Sequence, residues 1–132
     1  MIVDSSAMVA IIKREPDWLA LYEKIYSAKT LRMSVASYLE TSIVLDSRRD
    51  EAMSAKLDDM IEEVQIILDP VTVEQAKMAR QAYRAYGKGS GHPAGLNFGD
   101  CFTYALAREK REPVLWKGEN FGHTDLRQAL VK

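Results

Sequence analysis

Four short apolar runs punctuate the chain: Met1–Asp4, Leu31–Ser34, Gln65–Asp69 and Pro113–Trp116. All but the Leu31 run carry β-branched or aromatic residues, the pattern of strands covered on both faces. The longer stretches between them repeat apolar residues at helical spacing. Ser5 or Ser6 can cap a helix running to Lys13. Pro16 suits the first turn of a second helix, with Trp18, Leu21, Tyr22 and Ile25 as its apolar face. A third helix over 35–49 carries Leu39, Ile43 and Val44, and Asp50 caps a fourth that runs to about Val64. Thr72, with Gln75 three residues on, makes a capping-box pattern for a fifth helix ending near Gly87. A sixth begins near Phe98 and runs to Arg111, where Pro113 stops it. Strands alternating with helices predict an α/β fold with a parallel sheet, because parallel neighbours need helical crossovers. No repeat or linker interrupts the pattern, so residues 1–132 read as one domain.

Composition narrows the class. The 132 residues hold 47% hydrophobic and 28% charged residues, an ordinary globular balance. A single cysteine excludes a disulfide framework and cannot alone supply a cysteine-based zinc site. No apolar run approaches the ~20 residues of a membrane span. With Asp4 near the start and only Ala7–Ile12 as an early apolar stretch, no secretion signal is expected, and the setting read from the sequence is cytoplasmic. Eighteen Lys and Arg against nineteen Asp and Glu leave a net charge of −1, which denies a strongly basic nucleic-acid binder on bulk charge.

Charge is nevertheless segregated. Lys77, Arg80, Arg84 and Lys88 are spaced three, four and four residues apart on the fifth helix. That places them within an arc of about 80° at 3.6 residues per turn. Ala76, Ala79, Ala82, Tyr83 and Tyr86 occupy another arc, expected in the core. A charged stripe is commonly a solvated helix face, but one sign running into a glycine-rich loop suits contact with a phosphate backbone. Arg32 and Lys117 are candidates to extend it, while the balancing acids gather on the fourth helix with only Lys56 among them. Five of the seven glycines fall between Gly87 and Gly99. This segment lacks the Gly-Lys-Ser/Thr ending of a P-loop and follows no strand, so it reads as a mobile loop beside a functional site.

In open α/β sheets ligands bind beyond the carboxyl ends of the strands. Asp4 ends the first strand, Glu40 lies in the helix after the second, Asp100 lies in the first turn of the sixth helix, and Glu119 and Asn120 follow the fourth strand. Asp4 and Asp100 have an ordinary alternative as helix-capping or dipole-favourable acids. Glu40 is harder to dismiss, since no other charge lies between Met33 and Leu45. Clustered acids raise one another's pKa unless a cation neutralises them. Oxygen-only donors suit Mg²⁺ or Mn²⁺, which can activate water and stabilise a leaving phosphodiester oxygen. Thr103, one turn after Asp100, is a candidate to touch a metal-bound water, and Ser5 and Ser6 read as caps that orient Asp4. Cys101 reads as a small buried hydrophobe, and His92 and His123 as exposed loop residues.

Ile2-Val3-Asp4-Ser5-Ser6-Ala7, Ala36-Ser37-Tyr38-Leu39-Glu40, Tyr86-Gly87-Lys88-Gly89, the Leu96–Ala107 block containing Asn97-Phe98-Gly99-Asp100-Cys101, and Pro113–Leu126 together resemble the VapC toxins, in the right order over essentially the whole chain. These are PIN-domain ribonucleases of bacterial type II toxin–antitoxin modules. The resemblance implies a PIN-like α/β/α sandwich around a mainly parallel sheet of about four strands. It implies endonucleolytic RNA cleavage with Mg²⁺ or Mn²⁺, inhibition by a VapB-type antitoxin, and a homodimer. Asp4, Glu40 and Asp100 fall on the family's acidic triad, with Asp4 and Asp100 as the metal-ligand pair. Beside what the resemblance implies, the residues themselves offer Ser6, Thr103 and Asn120 as supports and Arg80, Arg84, Lys88 and Lys117 as RNA contacts. The family often has a fourth acid in a Gly-acid-Asp-Phe run. Here the run is Gly118-Glu119-Asn120-Phe121, leaving Glu119 to take over or the fourth position weakened. The competing readings are a catalytically silent module that only binds antitoxin or RNA, and a phospho-receiver with Asp69 as acceptor and Lys117 as helper.

Overall fold

The computed structural model describes residues 1–130. Its chain order is β1 (Ile2–Val3), α1 (Ser5–Ile12), α2 (Trp18–Ser27), β2 (Leu31–Ser34), α3 (Val35–Asp46), α4 (Glu51–Glu63), β3 (Ile66–Asp69), α5 (Val73–Tyr86), α6 (Phe98–Lys110) and β4 (Val114–Leu115), followed by a 3₁₀ turn at Asn120–His123. The four strands form one sheet in the order β3-β2-β1-β4, and every pairing is parallel. This is the expected α/β/α architecture.

Two cores sandwich the sheet, and β1 shows how. Ile2 and Val3 are both fully buried, but successive strand residues point to opposite faces. Val3 joins Met8, Leu21, Ile25, Met33, Leu45 and Leu115 under the helices α1 to α4. Ile2 joins Ala79, Ala82, Leu106, Val114 and Trp116 under α5 and α6. The register pairs Ile2 with both Arg32 and Val114, and Ser34 with Asp69. Asp4, two residues beyond Ile2, therefore leaves the sheet on the α6 side.

Several expected details differ. Asp4, not Ser5 or Ser6, is the N-cap of α1, its carboxylate accepting the Ser6 N–H at 3.0 Å. Helix α2 begins at Trp18 instead of Pro16, because Arg14 and Asp17 take left-handed backbone conformations that turn the chain between the helices. Helix α3 ends at Asp46, short of residue 49, and Arg49 is again left-handed. Leu39, Ile43 and Val44 on α3 are exposed, so the helix buries Ser37, Thr41 and Leu45 instead.

On α5 the expected core arc is only partly right. Ala79 and Ala82 are buried, while Ala76 and Tyr83 are exposed. Gln75 is buried in their place, since its amide donates to Glu109 Oε1 on α6 at 3.0 Å. Thr72 does accept the Gln75 N–H, but the Gln75 side chain is thus spent elsewhere and the box is half-formed. The complete capping box lies at the start of α6, between Asn97 and Asp100. The glycine-rich segment is pinned at its base by Lys88 N–H to Leu96 O and Leu96 N–H to Tyr86 O. Ala94 and Leu96 within it are fully buried, which is not the anatomy of a mobile loop.

Leu106 is 0% exposed and Leu39 is 58% exposed, although each is an apolar residue on a long helix. Leu106→Ala is expected to lower unfolding stability by about 2–5 kcal/mol. Leu39→Ala should change it by less than about 0.5 kcal/mol. Urea denaturation of the two variants checks both.

Candidate active site

Asp4 carries the site at the carboxyl end of β1. It is 2% exposed, and each of its oxygens has a protein donor. Oδ2 takes the Ser6 N–H, and Oδ1 takes the Thr103 hydroxyl at 2.6 Å. Thr103 is itself buried and lies 3.1 Å from the Ser37 hydroxyl of α3. Thr103 is therefore committed to Asp4.

Glu40 enters from the second turn of α3. Ser5, the first residue of α1, donates its hydroxyl to Glu40 Oε1 at 2.6 Å. A Cβ at position 99 would collide with the Glu40 carboxylate, so glycine there lets the start of α6 close over it. Asp100 sits in that first turn. Its Oδ2 accepts the Asn97 N–H at 3.0 Å and the Asn120 amide at 3.3 Å, while its own N–H donates to Asn97 Oδ1 at 2.9 Å. Among the described residues, Glu40 Oε2 and Asp100 Oδ1 accept no hydrogen bond, and neither is walled off from solvent.

The three carboxylates feel one another. Burial is the main cause holding Glu40 above the ordinary carboxylate range; Asp4 and Asp100 add to it and Ser5 opposes it. Burial likewise lifts Asp100, with Asp4 adding and the donors Asn97 and Asn120 opposing. No lysine or arginine contributes to either shift. An acidic centre with open oxygens and no cation among the described residues fits a hard divalent ion. Among the described residues no three Asp, Glu, His or Cys side chains form a ready-made cage. The fit is thus to an ion that keeps several waters, as Mg²⁺ does.

The remaining expected site residues divide. Glu119 is exposed and makes no side-chain capping bond to the 3₁₀ turn it precedes, whereas Asn120 reaches Asp100. Ser6 serves through its N–H to Asp4 and through its hydroxyl, which accepts the Lys117 N–H at 3.0 Å. Lys117 Nζ donates to Pro16 O at 3.0 Å and lies 3.8 Å from Glu15, beside a cleft shared with Ser5 and Glu40. Arg80, Arg84 and Lys88 are exposed and have no ion-pair partner among the described residues. Arg32 does not extend that stripe: it pairs with Asp69 at 3.1 Å and lies 3.8 Å from Glu112. The same pair ties up the acceptor required of a phospho-receiver, on an edge strand of a four-stranded sheet. Cys101 is buried, its thiol pushed up to about 11, and His92 is partly buried, its Nδ1 accepting the Ala94 N–H.

Sequence reasoning missed Ser37, Asn97 and Gly99. The Asn97-x-x-Asp100 spacing is a capping-box signal with asparagine and aspartate in place of the usual pair.

The PIN-domain family model matches residues 1–126. This chain belongs to the PIN-domain family. Ribonuclease VapC28 of Mycobacterium tuberculosis is 55% identical over 130 residues, covering 98% of each chain. Ribonuclease VapC42 of the same organism is 43% identical over 131 residues, covering 99% of this chain and all of that one. Among solved structures, M. tuberculosis VapC20, titled a sarcin–ricin loop cleaving toxin, superposes with a TM-score of 0.74 at 16% identity, covering 95% of both chains. At that identity the likeness bears on the PIN fold.

The pKa shifts fix a pH dependence. Both acids titrate above their ordinary values of 4.5 and 3.8 when folded. Between the ordinary and the raised values the native state binds more protons than the unfolded one, so stability falls as pH rises, and above the raised values the whole penalty is present. Metal-free Glu40→Gln and Asp100→Asn should each melt above the parent at about pH 8, with the advantage shrinking towards about pH 4. Melting curves across that range in chelator check it.

Proposed function

We propose that this chain is the toxin of a type II toxin–antitoxin module, an endoribonuclease that hydrolyses RNA phosphodiester bonds with Mg²⁺ or Mn²⁺. The observation that carries the reading is the approach of Asp4, Glu40 and Asp100 to one another, with no neutralising cation among the described residues. It is supported by 55% identity to a protein named as a ribonuclease.

In this reading Asp4 and Asp100 hold the ion, with Asp100 Oδ1 as an open oxygen. The ion, when bound, supplies positive charge for the phosphate and acidifies water. Glu40, held above the ordinary carboxylate range, is suited to take a proton from the attacking water as one P–O ester bond breaks. Ser5 fixes the orientation of Glu40, and Thr103, backed by Ser37, fixes that of Asp4. Asn120 supports Asp100, and the exposed Glu119 stays outside the centre. Arg80, Arg84 and Lys88 guide the RNA backbone, with Lys117 at the rim. A VapB-type antitoxin as inhibitor, a second copy of the chain as partner and a cytoplasmic setting belong to the same reading.

The test is end-mapped cleavage of total RNA by the antitoxin-free protein with Mg²⁺, with Mn²⁺ and with chelator. Discrete metal-dependent cuts are expected, reduced at least about 100-fold by Asp100→Asn. Thr103→Val, which keeps shape but removes the donor to Asp4, should raise the Mg²⁺ needed for half-maximal cleavage by about 10- to 100-fold. A folded protein that binds RNA but cuts none in either metal would establish the silent module instead.

A further inference from the structure

A groove of about 610 Å³ runs between α5 and α6, outside the acidic centre. That volume is in the range that encloses small organic groups. Its walls are aromatic: Tyr83 from α5, and Phe98 and Phe102 from α6. The two phenylalanine rings meet edge to face, with centroids 4.9 Å apart and planes at 86°. Phe98 is 79% exposed and Tyr83 is 47% exposed, an arrangement that leaves ring surface uncovered where a soluble helix ordinarily shows polar residues. Ala76 and Ala79 of α5 form the floor, which is where Ala76, expected in the core, lies exposed.

Two features choose the occupant. Arg80 and Lys88 border the groove, and Lys77 and Arg84 continue the same stripe; among the described residues none of the four has an ion-pair partner. Aromatic walls beside unpaired cations are the chemistry that binds single-stranded nucleic acid, rings stacking on bases while cations hold phosphates. Second, Asn97 both lines the groove and caps Asp100, so one end of the groove lies beside the residue that orients an acid of the centre. Tyr83 is also fixed in place, its hydroxyl donating to Lys88 O at 2.9 Å.

We propose that the α5–α6 groove is a base-binding subsite, in which an unpaired RNA nucleobase next to the scissile phosphate stacks on Phe98 and Tyr83 while Arg80 and Lys88 hold its phosphates. The proposal rests on the ribonuclease reading. It adds that substrate choice depends on an unstacked base, and not on backbone charge alone.

The experiment measures binding of a fluorescent single-stranded 12-mer oligoribonucleotide, in chelator so that nothing is cut, beside an abasic strand with the same phosphates. Phe98→Ala should weaken the base-bearing strand by roughly 5- to 150-fold and leave the abasic strand unchanged. Arg80→Ala should weaken both strands and lower the salt slope by about one. A 2-aminopurine in the strand should be quenched by the parent and by Phe98→Tyr, but not by Phe98→Ala, a signature that a merely structural ring does not give. Phe98 is exposed, so its variants are expected to fold, and circular dichroism verifies this.

Equal loss on both strands, or no loss on either, overturns the subsite. So does unchanged RNA affinity accompanied by an altered oligomeric state or weakened antitoxin binding, which would assign the groove to a protein partner. Cleavage of total RNA by the parent separates the two layers. If the parent cuts RNA and Phe98→Ala cuts the same sites at the same rate, only the subsite fails; if the parent neither binds nor cuts RNA, the ribonuclease reading fails with it.

Discussion

Asp4 is buried where the first strand meets the first helix, and among the described residues no lysine or arginine forms an ion pair with it. A buried carboxylate is costly unless donors satisfy it. Here those donors come from both sides: the Ser6 N–H at the start of α1, and the Thr103 hydroxyl of α6 braced by Ser37 of α3. One buried carboxyl group therefore ties together three helices that the chain order keeps far apart. The parallel sheet makes this possible, because β1 lies inside it and delivers Asp4 between the helical layers.

The same constraint explains the local chemistry around it. Two further carboxylates approach, each with one oxygen anchored and the other free of protein donors: Ser5 takes one oxygen of Glu40, and Asn97 with Asn120 takes one of Asp100. Anchoring of this kind fixes orientation without cancelling charge. The approach requires that α6 begin almost in contact with Glu40, and glycine at position 99 lets the Glu40 carboxylate stay where Ser5 holds it, where a Cβ would push it aside. The helix N-terminus then favours the ionised Asp100 that burial disfavours. Burial of Glu40 and Asp100, with repulsion from neighbouring acids adding to it, is the stability cost of a centre built to receive positive charge.

Much of this was legible in the chain. The four strands and six helices are in the expected places, since strand-type runs alternate with helical spacing and end at caps, prolines or glycines. Asp4 and Asp100 draw notice in the sequence because one ends a strand and the other opens a helix, and Glu40 because it is the lone charge between Met33 and Leu45. What was hidden depends on partners distant in sequence. Ala76 and Gln75 exchange places because Glu109, on another helix, offers an acceptor to one of them. Arg32 is read as free until Asp69 and Glu112 are seen beside it. Ser5 and Ser6 look alike as caps, yet one donates to Glu40 and the other accepts from Lys117. Periodicity assigns a residue to a face of its own helix and cannot say which faces another helix will leave uncovered.

Position 120 shows why a departure from a family pattern need not disable a site. A fourth carboxylate there would stand beside Asp100, whose pKa Asp4 already raises. Asparagine instead supplies a donor, and that hydrogen bond opposes the rise. The exchange removes a negative charge from the rim while keeping Asp100 oriented. Its amide joins the Asn97 N–H on Oδ2, so both donors converge on one oxygen and Oδ1 is left open. A site of this form has less total charge with which to attract cations, but directs what it has through fewer, better-fixed oxygens. Glu119, one residue earlier, is exposed, and its side chain makes no capping bond to the turn that brings Asn120 to Asp100.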